Sequence, residues 1–228
     1  MINLKSIAGC AFVAAFSLVA CQEAAPETDS LKSGLNPANF DTIINKKQVK
    51  LYTLRNANGM EVDITNFGGR VVSIMVPDRD GEFKDVVLGY DNVAQYADSV
   101  NSPSDFGAAI GRYANRIGDG KITIDGEAIQ LPQNNYQHCL HGGPTGWQYK
   151  VFDAQQPDEK TLQLSLLSSD GDNNFPGNVK ANVTYTLTED NAIDIKYNAT
   201  TDKKTIINMT NHSYFNLSGD PSISGTHQ

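Results

Sequence analysis

Between Val179 and Leu187 the chain alternates without a break. "VKANVTYTL" puts Val179, Ala181, Val183, Tyr185 and Leu187 on one face, and Lys180, Asn182, Thr184 and Thr186 on the other. A period of two marks a strand with one buried face, because successive side chains leave a pleated sheet on opposite sides. "AIDIKYNA" repeats the pattern, with Ile193, Ile195, Tyr197 and Ala199 set against Asp194, Lys196 and Asn198. The "TEDN" between them reads as a hairpin turn, so the two runs predict an antiparallel pair. Upstream, shorter runs are cut by turn residues: "VKLYTLRN" before "ANG", "MEVDITNF" before "GG", "RVVSIMVP" before "DRDG", and "KITI" before "DG". No segment sustains a long period of 3.6. The pattern predicts an all-β protein, a large antiparallel β-sandwich or barrel.

The first twenty residues read differently. Lys5 supplies a short positive region, and "IAGCAFVAAFSLVA" is an apolar run too short for a comfortable membrane span. It ends in "LVAC", Leu18 to Cys21, which matches the bacterial lipobox. Residues 1–20 are therefore expected to be a lipoprotein signal peptide. Cys21 is expected to carry lipid and to anchor the protein to a membrane surface without a spanning helix. Gln22 after the cysteine favours sorting to the outer membrane, facing the periplasm. Residues 21–47 are polar, with two prolines and no clear period, and are expected to form a flexible tether. The domain is expected to occupy residues 48–228.

Composition narrows the function. The 228 residues are 39% apolar with 9 Tyr, 9 Phe and 1 Trp, enough for one sizeable core. The net charge of -8 comes without any basic run, which argues against a nucleic-acid partner. Cys10 departs with the signal peptide and Cys21 takes lipid. Cys139 alone remains, which rules out an intrachain disulfide in the mature chain.

Three stretches carry candidate chemistry. "NNYQHCLHGGPTGW" holds His138 and His141 around Cys139. The H-x-x-H spacing raises zinc, but the glycines make a loop and no second ligand cluster exists, so no metal is expected. A glycine-rich loop beside a histidine and Trp147 suits a sugar better: backbone comes close, an exposed aromatic stacks, and the ring hydrogen-bonds a hydroxyl. An ordinary turn with a satisfied histidine remains open. "AIGRYANRIGDG" brings Arg112, Asn115 and Arg116 together as donors for hydroxyls or a carboxylate, or as surface pairs with Asp119. "NMTNHSYFNLSG" reads partly as a strand with Asn208, Thr210, His212 and Tyr214 on one face. That face is either a binding face or the setting of a buried histidine.

Taken in order, "YTLRNANGMEVDITNFGGRVVSIMVPDRDGEFKDVVLGYD", "FGAAIGRYANRI", "LHGG" with its following Gly-Trp, "DGDNNFPGNV" and "TNHSYFNLSG" resemble the aldose 1-epimerase (galactose mutarotase) family. The likeness runs from about Val49 to Gly219. It implies a galactose mutarotase-like supersandwich that interconverts the α and β anomers of a hexose such as glucose or galactose, with no cofactor. It also implies site roles. His212 would be the general acid, His141 would bind the sugar near the reacting centre, and Asn115 and Arg116 would contact its hydroxyls. Arg112 is expected to be structural.

Ring opening needs a base at the anomeric O1 hydroxyl and an acid at the ring oxygen O5, with the roles reversed on closure. Histidine suits such work because the side chain titrates near neutrality, and one such group is worth roughly a hundred- to ten-thousandfold. The family's base is a glutamate near the C-terminus of its domain. After His212 the chain offers only Asp220 as an acidic residue. The expectation is a sandwich incomplete at its C-terminus, with exposed strand edges and a base not carried by this chain. Glu61, Asp63, Glu82 and Asp85 have no motif supporting them as substitutes. A non-catalytic, membrane-tethered carbohydrate-binding lipoprotein is the alternative.

Overall fold

The computed structural model describes residues 30–101, 103–220 and 222–223. The expected signal peptide, Cys21 and His227 lie outside the described residues. The described fold begins at Leu31.

Residues 31–47 are built into that fold, which corrects the expected tether over this part of the chain. A 3₁₀ turn, Pro37–Phe40, is capped by the Asn36 side chain. It leads into a hairpin of β1 (Thr42–Ile44) and β2 (Lys47–Val49). Phe40 and Val49 are fully buried against Phe67, Val72, Val93, Tyr96 and Val151. Elements this short show no period, so one apolar anchor in a polar stretch gave no signal.

The first large sheet is a meander of β3 (Leu51–Arg55), β4 (Glu61–Thr65), β5 (Arg70–Pro77) and β6 (Phe83–Asp85). After the short helix α1 (Val93–Ala97) come β7 (Ala109–Ile110) and β8 (Arg116–Ile117). A hairpin of β9 (Lys121–Ile124) and β10 (Glu127–Gln130) follows, then β11 (Cys139–Leu140), which pairs with β8. The second large sheet is another meander: β12 (Asp153–Asp158), β13 (Thr161–Ser168), β14 (Val179–Leu187) and β15 (Ile193–Thr201). The last strand, β16 (Thr210–Asn211), returns to pair with β7.

The two meanders face each other as a sandwich. Leu54, Val62, Ile64 and Ile74 of the first sheet share one core with Leu162, Leu164, Leu166, Ala181, Val183, Tyr185 and Leu187 of the second. Each such side chain, moved from water into a packed interior, contributes about 1.5–3 kcal/mol. The alternation expected on β14 is realised, with every odd residue from Val179 to Leu187 buried. Tyr185 also donates its hydroxyl to the carbonyl of Gly69 at 2.8 Å, tying one sheet to the other.

Strand β4 breaks the alternating rule: all five residues are buried. One face meets the second sheet. The other is polar and is closed by the N-terminal segment. Glu61 accepts from the Lys32 backbone N–H and from Arg55 Nε, while Asp63 accepts from the hydroxyls of Ser33 and Thr53. Strand β15 has one hydrogen-bonded neighbour among the described residues, β14, and its inner face is only half buried. Phe215 and Leu217 are exposed beside it and line an apolar cleft of about 540 Å³ with Met60, Ile74, Val76, Val86 and Ile193.

Candidate active site

The site is assembled from three backbone stitches at one end of the sandwich. The first holds residues 104–107. Arg70, fully buried on β5, donates from Nη1 to the carbonyl of Phe106 at 2.9 Å and from Nη2 to those of Ser104 and Gln148. Its guanidinium also lies 4.9 Å from the centre of the Tyr96 ring. Phe106 N–H donates to Ser104 Oγ, and Ala108 N–H to the carbonyl of Asp105. A forked cation donating to three backbone carbonyls fixes such a loop far more firmly than its own turn bonds could.

The second stitch carries His212. Its N–H donates to the carbonyl of Ala108 at 2.9 Å and its carbonyl accepts from Gly107 N–H at 3.1 Å. Asn211 Nδ2 donates to the carbonyl of Gly107 at 2.8 Å. This extends the β7–β16 pairing past the two residues of each strand. The expected strand over 208–215 is therefore real as pairing but short as an element.

The third stitch carries His141. Its N–H donates to the carbonyl of Asn115, and Asn115 N–H donates to His141 Nδ1 at 3.0 Å. Both residues adopt positive φ, 50° for His141 and 66° for Asn115. Left-handed backbone is sparsely populated by residues other than glycine, and it persists where surrounding bonds over-determine it. Here the β8–β11 pair supplies that frame.

The three stitches bring His141 and His212 edge to face, with ring centres 5.0 Å apart at 89°. The Tyr214 ring lies beside His212, with centres 5.2 Å apart. His141, His212, Asn115, Asn208 and Tyr214 line one open cleft of about 510 Å³. A second cleft, of about 450 Å³, meets it at His141 and is lined by Asp105, Asn134, Asn135 and Tyr149. Arg116 stands exposed beside them and donates from Nε to Asn135 Oδ1. A somewhat larger groove, of about 560 Å³, lies elsewhere, on the polar face of the second sheet among Lys180, Asn182, Thr184 and Lys196. It holds no histidine and no strained residue, so the chemistry belongs to the two clefts that meet at His141.

The protonation of His141 follows from its bonds. Nδ1 accepts a backbone N–H, so in the neutral ring the proton sits on Nε2. Burial holds its pKa below the ordinary histidine value; Asp105 opposes this, and His212 and Arg116 reinforce it. At neutral pH His141 therefore presents Nε2–H to the cleft as a donor. The same bond bears on metal binding. Ligand atoms of Asp105, His141 and His212 lie within 4.8 Å of one another. For Nε2 to ligate, His141 would have to move its proton to Nδ1 and break the Asn115 bond, so the arrangement favours a hydrogen-bonding site.

Of the residues singled out in the sequence, His212, His141 and Asn115 meet in one cleft and Arg116 borders it. His138 does not join them. Its Nδ1 accepts from Asp119 N–H, and Cys139 turns into a separate core with Ile122, Leu131 and Phe175, where burial pushes its thiol up. Alternation along β11 thus splits the H-x-x-H motif. Arg112 is structural: fully buried, it donates to Ser168 Oγ and to the carbonyls of Ser168, Ser169 and Pro176. Trp147, expected as an exposed sugar platform, is 1% exposed and packs in the sandwich core against Gly111. Glu61 and Asp63 are buried on β4, and Asp85 accepts from the N–H groups of Ile74 and Val87, so none faces the clefts. The carboxylate that does face them is Asp105. Nothing in "SPSDFG" separates it from an ordinary turn acid.

Comparison with known proteins agrees with this architecture. The family model described as Aldose 1-epimerase matches residues 50–227. The chain is 41% identical over 179 residues to the aldose 1-epimerase of Escherichia coli (strain K12), covering 78% of this chain and 51% of that protein. It is 39% identical over 174 residues to the galactose mutarotase of Rattus norvegicus, covering 76% and 49%. Among solved structures, galactose 1-epimerase from Lactobacillus acidophilus NCFM superposes with a TM-score of 0.68 at 31% identity, over 77% of this chain and 51% of that one. The chain spans about half the length of the curated relatives it matches.

Proposed function

The chain belongs to the aldose 1-epimerase family, and we propose that the protein interconverts the α and β anomers of a hexose by acid–base ring opening. The observation that carries this reading is the edge-to-face pair of His141 and His212 in one open cleft. Two imidazoles 5 Å apart reach adjacent oxygens of one pyranose ring, and clefts of this size take a monosaccharide.

In this reading His212 protonates O5 as the C1–O5 bond opens, while the family's glutamate base, which none of the residues assigned in this chain supplies, takes the O1 proton. Rotation about C1–C2 exposes the other face of the aldehyde. On closure O5 attacks C1, His212 recovers its proton from O5, and O1 is reprotonated. His141 stays neutral and donates Nε2–H to a sugar oxygen beside the reacting centre. Asn115 and Arg116 offer amide and guanidinium donors to outer hydroxyls. Binding and proton transfer account for the whole step, so no cofactor enters it.

Polarimetry of freshly dissolved α-glucose and α-galactose tests the assignment. Added protein is expected to speed the approach to the equilibrium rotation well beyond the buffer rate. No acceleration for either sugar, with calorimetry still detecting hexose binding, would leave the non-catalytic carbohydrate-binding reading in its place.

The lipobox "LVAC" supports a further part of this reading: a bacterial envelope lipoprotein anchored through Cys21, in the outer membrane facing the periplasm. Among the described residues no helix is long and apolar enough to cross a membrane. Cys21→Ala is expected to abolish lipid labelling and to move the protein from the membrane to the soluble fraction. Unchanged fractionation of this variant would defeat the anchor.

A further inference from the structure

We propose that Asp105 is a substrate-binding carboxylate of this site, bridged to His141 through one hydroxyl of the bound sugar. The proposal rests on the hexose reading above and names a residue that the sequence motifs passed over.

Three observations carry it. Asp105 Oδ2 stands 3.9 Å from His141 Nε2. That is too long for a direct hydrogen bond and leaves room for one oxygen lying off the line between them. The two groups are chemically matched to a hydroxyl in that gap. Nε2 carries the proton, because Nδ1 is committed to Asn115 N–H, so it donates; the carboxylate can only accept. A hydroxyl is both acceptor and donor and satisfies the two at once, whereas a carbonyl or an ether oxygen satisfies only His141.

The second observation is that the carboxylate is held but not used. No described group donates to it within hydrogen-bonding distance, and its side chain is 27% exposed at the wall of the second cleft. Structural carboxylates in this fold look different: Asp63 and Asp85 each accept two bonds from their own surroundings.

The third is the rigidity of its mount. The carbonyls on either side of Asp105, those of Ser104 and Phe106, are both pinned by the buried Arg70, and its own carbonyl accepts from Ala108 N–H. A buried guanidinium holding the carbonyls of both neighbouring residues, with Ala108 N–H holding that of the acid itself, pre-positions the acid, so little freedom is lost when a ligand engages it.

The test uses Asp105→Asn, which keeps shape and removes the charged acceptor, and Asp105→Ala, which removes the group. Unchanged thermal midpoints establish that the fold is intact, and the isosteric Asn variant carries the test if the Ala variant is unstable. KM for hexose mutarotation, and Kd by calorimetry, are expected to rise about ten- to a hundredfold while kcat changes far less. A panel of monodeoxy hexoses then locates the contact. For one of them the wild-type protein shows the same loss as Asp105→Ala, and the variant adds nothing further. Affinities within twofold of wild type for every sugar, or penalties that simply add on every deoxy sugar, overturn the proposal. A wild-type protein that binds hexose without mutarotation defeats the catalytic reading alone, since the binding arm still reports on Asp105. A wild-type protein that binds no hexose defeats both.

Discussion

His212→Gln is expected to lower the proposed mutarotation rate by about a hundred- to ten-thousandfold, the worth of one positioned proton-transfer group. The loss falls on kcat, because glutamine still fills the cleft and donates a hydrogen bond but cannot pass a proton to O5 and recover it. The fold survives the change. His212 is locked into the structure through its backbone N–H and carbonyl, which pair with Ala108 and Gly107, and its half-buried ring carries no described hydrogen bond. The readout is polarimetry, with a urea midpoint beside it to show that stability is retained. Full activity in this variant would remove His212 from the chemistry. The pH profile adds a second signature. The folded-state pKa of His141 is depressed, so its neutral form persists below the ordinary histidine range. Its contribution to binding and to stability is therefore present above the unfolded-state value and is lost as pH falls through the lower folded-state one. His141→Gln is expected to weaken sugar binding and to flatten that acid limb, while the His212 variant keeps it.

Much of this was legible in the sequence, for identifiable reasons. Strands β14 and β15 announce themselves because each has one wet face and one covered face, the condition that writes a period of two into the chain. Strand β4 alternates in sequence, Glu61, Asp63 and Thr65 against Val62 and Ile64, but not in burial, because the N-terminal segment covers its second face and turns Glu61 and Asp63 into buried, hydrogen-bonded acids. That same segment read as a tether because its one large anchor, Phe40, sits among polar residues. His141, His212, Asn115 and Arg116 were found through an ordered set of motifs; their spacing alone left each with an ordinary structural reading. Trp147 misled because glycines surround it. Those glycines serve close approaches to other groups, Gly142 to the Gly111 carbonyl and Gly146 to that of His141, while the ring itself packs on the distant Gly111, where an added Cβ would stand 2.0 Å from it. Asp105 was invisible because its meaning lies in two distant residues: Arg70, which clamps the carbonyls of its neighbours Ser104 and Phe106, and His141, which faces its carboxylate.

Gly107→Ala is expected to cost about 4 kcal/mol of stability and most of the remaining activity. Gly107 has φ +67°, and a Cβ built there would lie 1.9 Å from the carbonyl oxygen of Val71. Left-handed backbone costs a non-glycine residue about 1–2 kcal/mol, and forcing atoms into a packed interior adds about 1–3 kcal/mol. The second cost cannot be relaxed cheaply. Val71 lies on β5, paired to β4 through Ile64, and its N–H donates to the carbonyl of Gly107 itself at 3.0 Å. Relief means pushing the 104–108 loop away from β5, and both halves of the site hang on that loop. Gly107 N–H holds the carbonyl of His212, its carbonyl holds the Asn211 side chain, and Asp105 lies two residues upstream. Gly81→Ala separates the two costs. Gly81 has φ +84° with nothing within 4 Å of the added Cβ, so it reports backbone strain alone, about 1–2 kcal/mol. Urea midpoints of the two variants, with mutarotation measured under folding conditions, give the comparison. A loss at Gly107 no greater than at Gly81 would mean the loop yields easily and does not hold Asp105 and His212 in place. The larger loss, with activity falling further than the folded fraction, follows if the site's geometry is set by the close approach of two backbones at a position where only glycine fits.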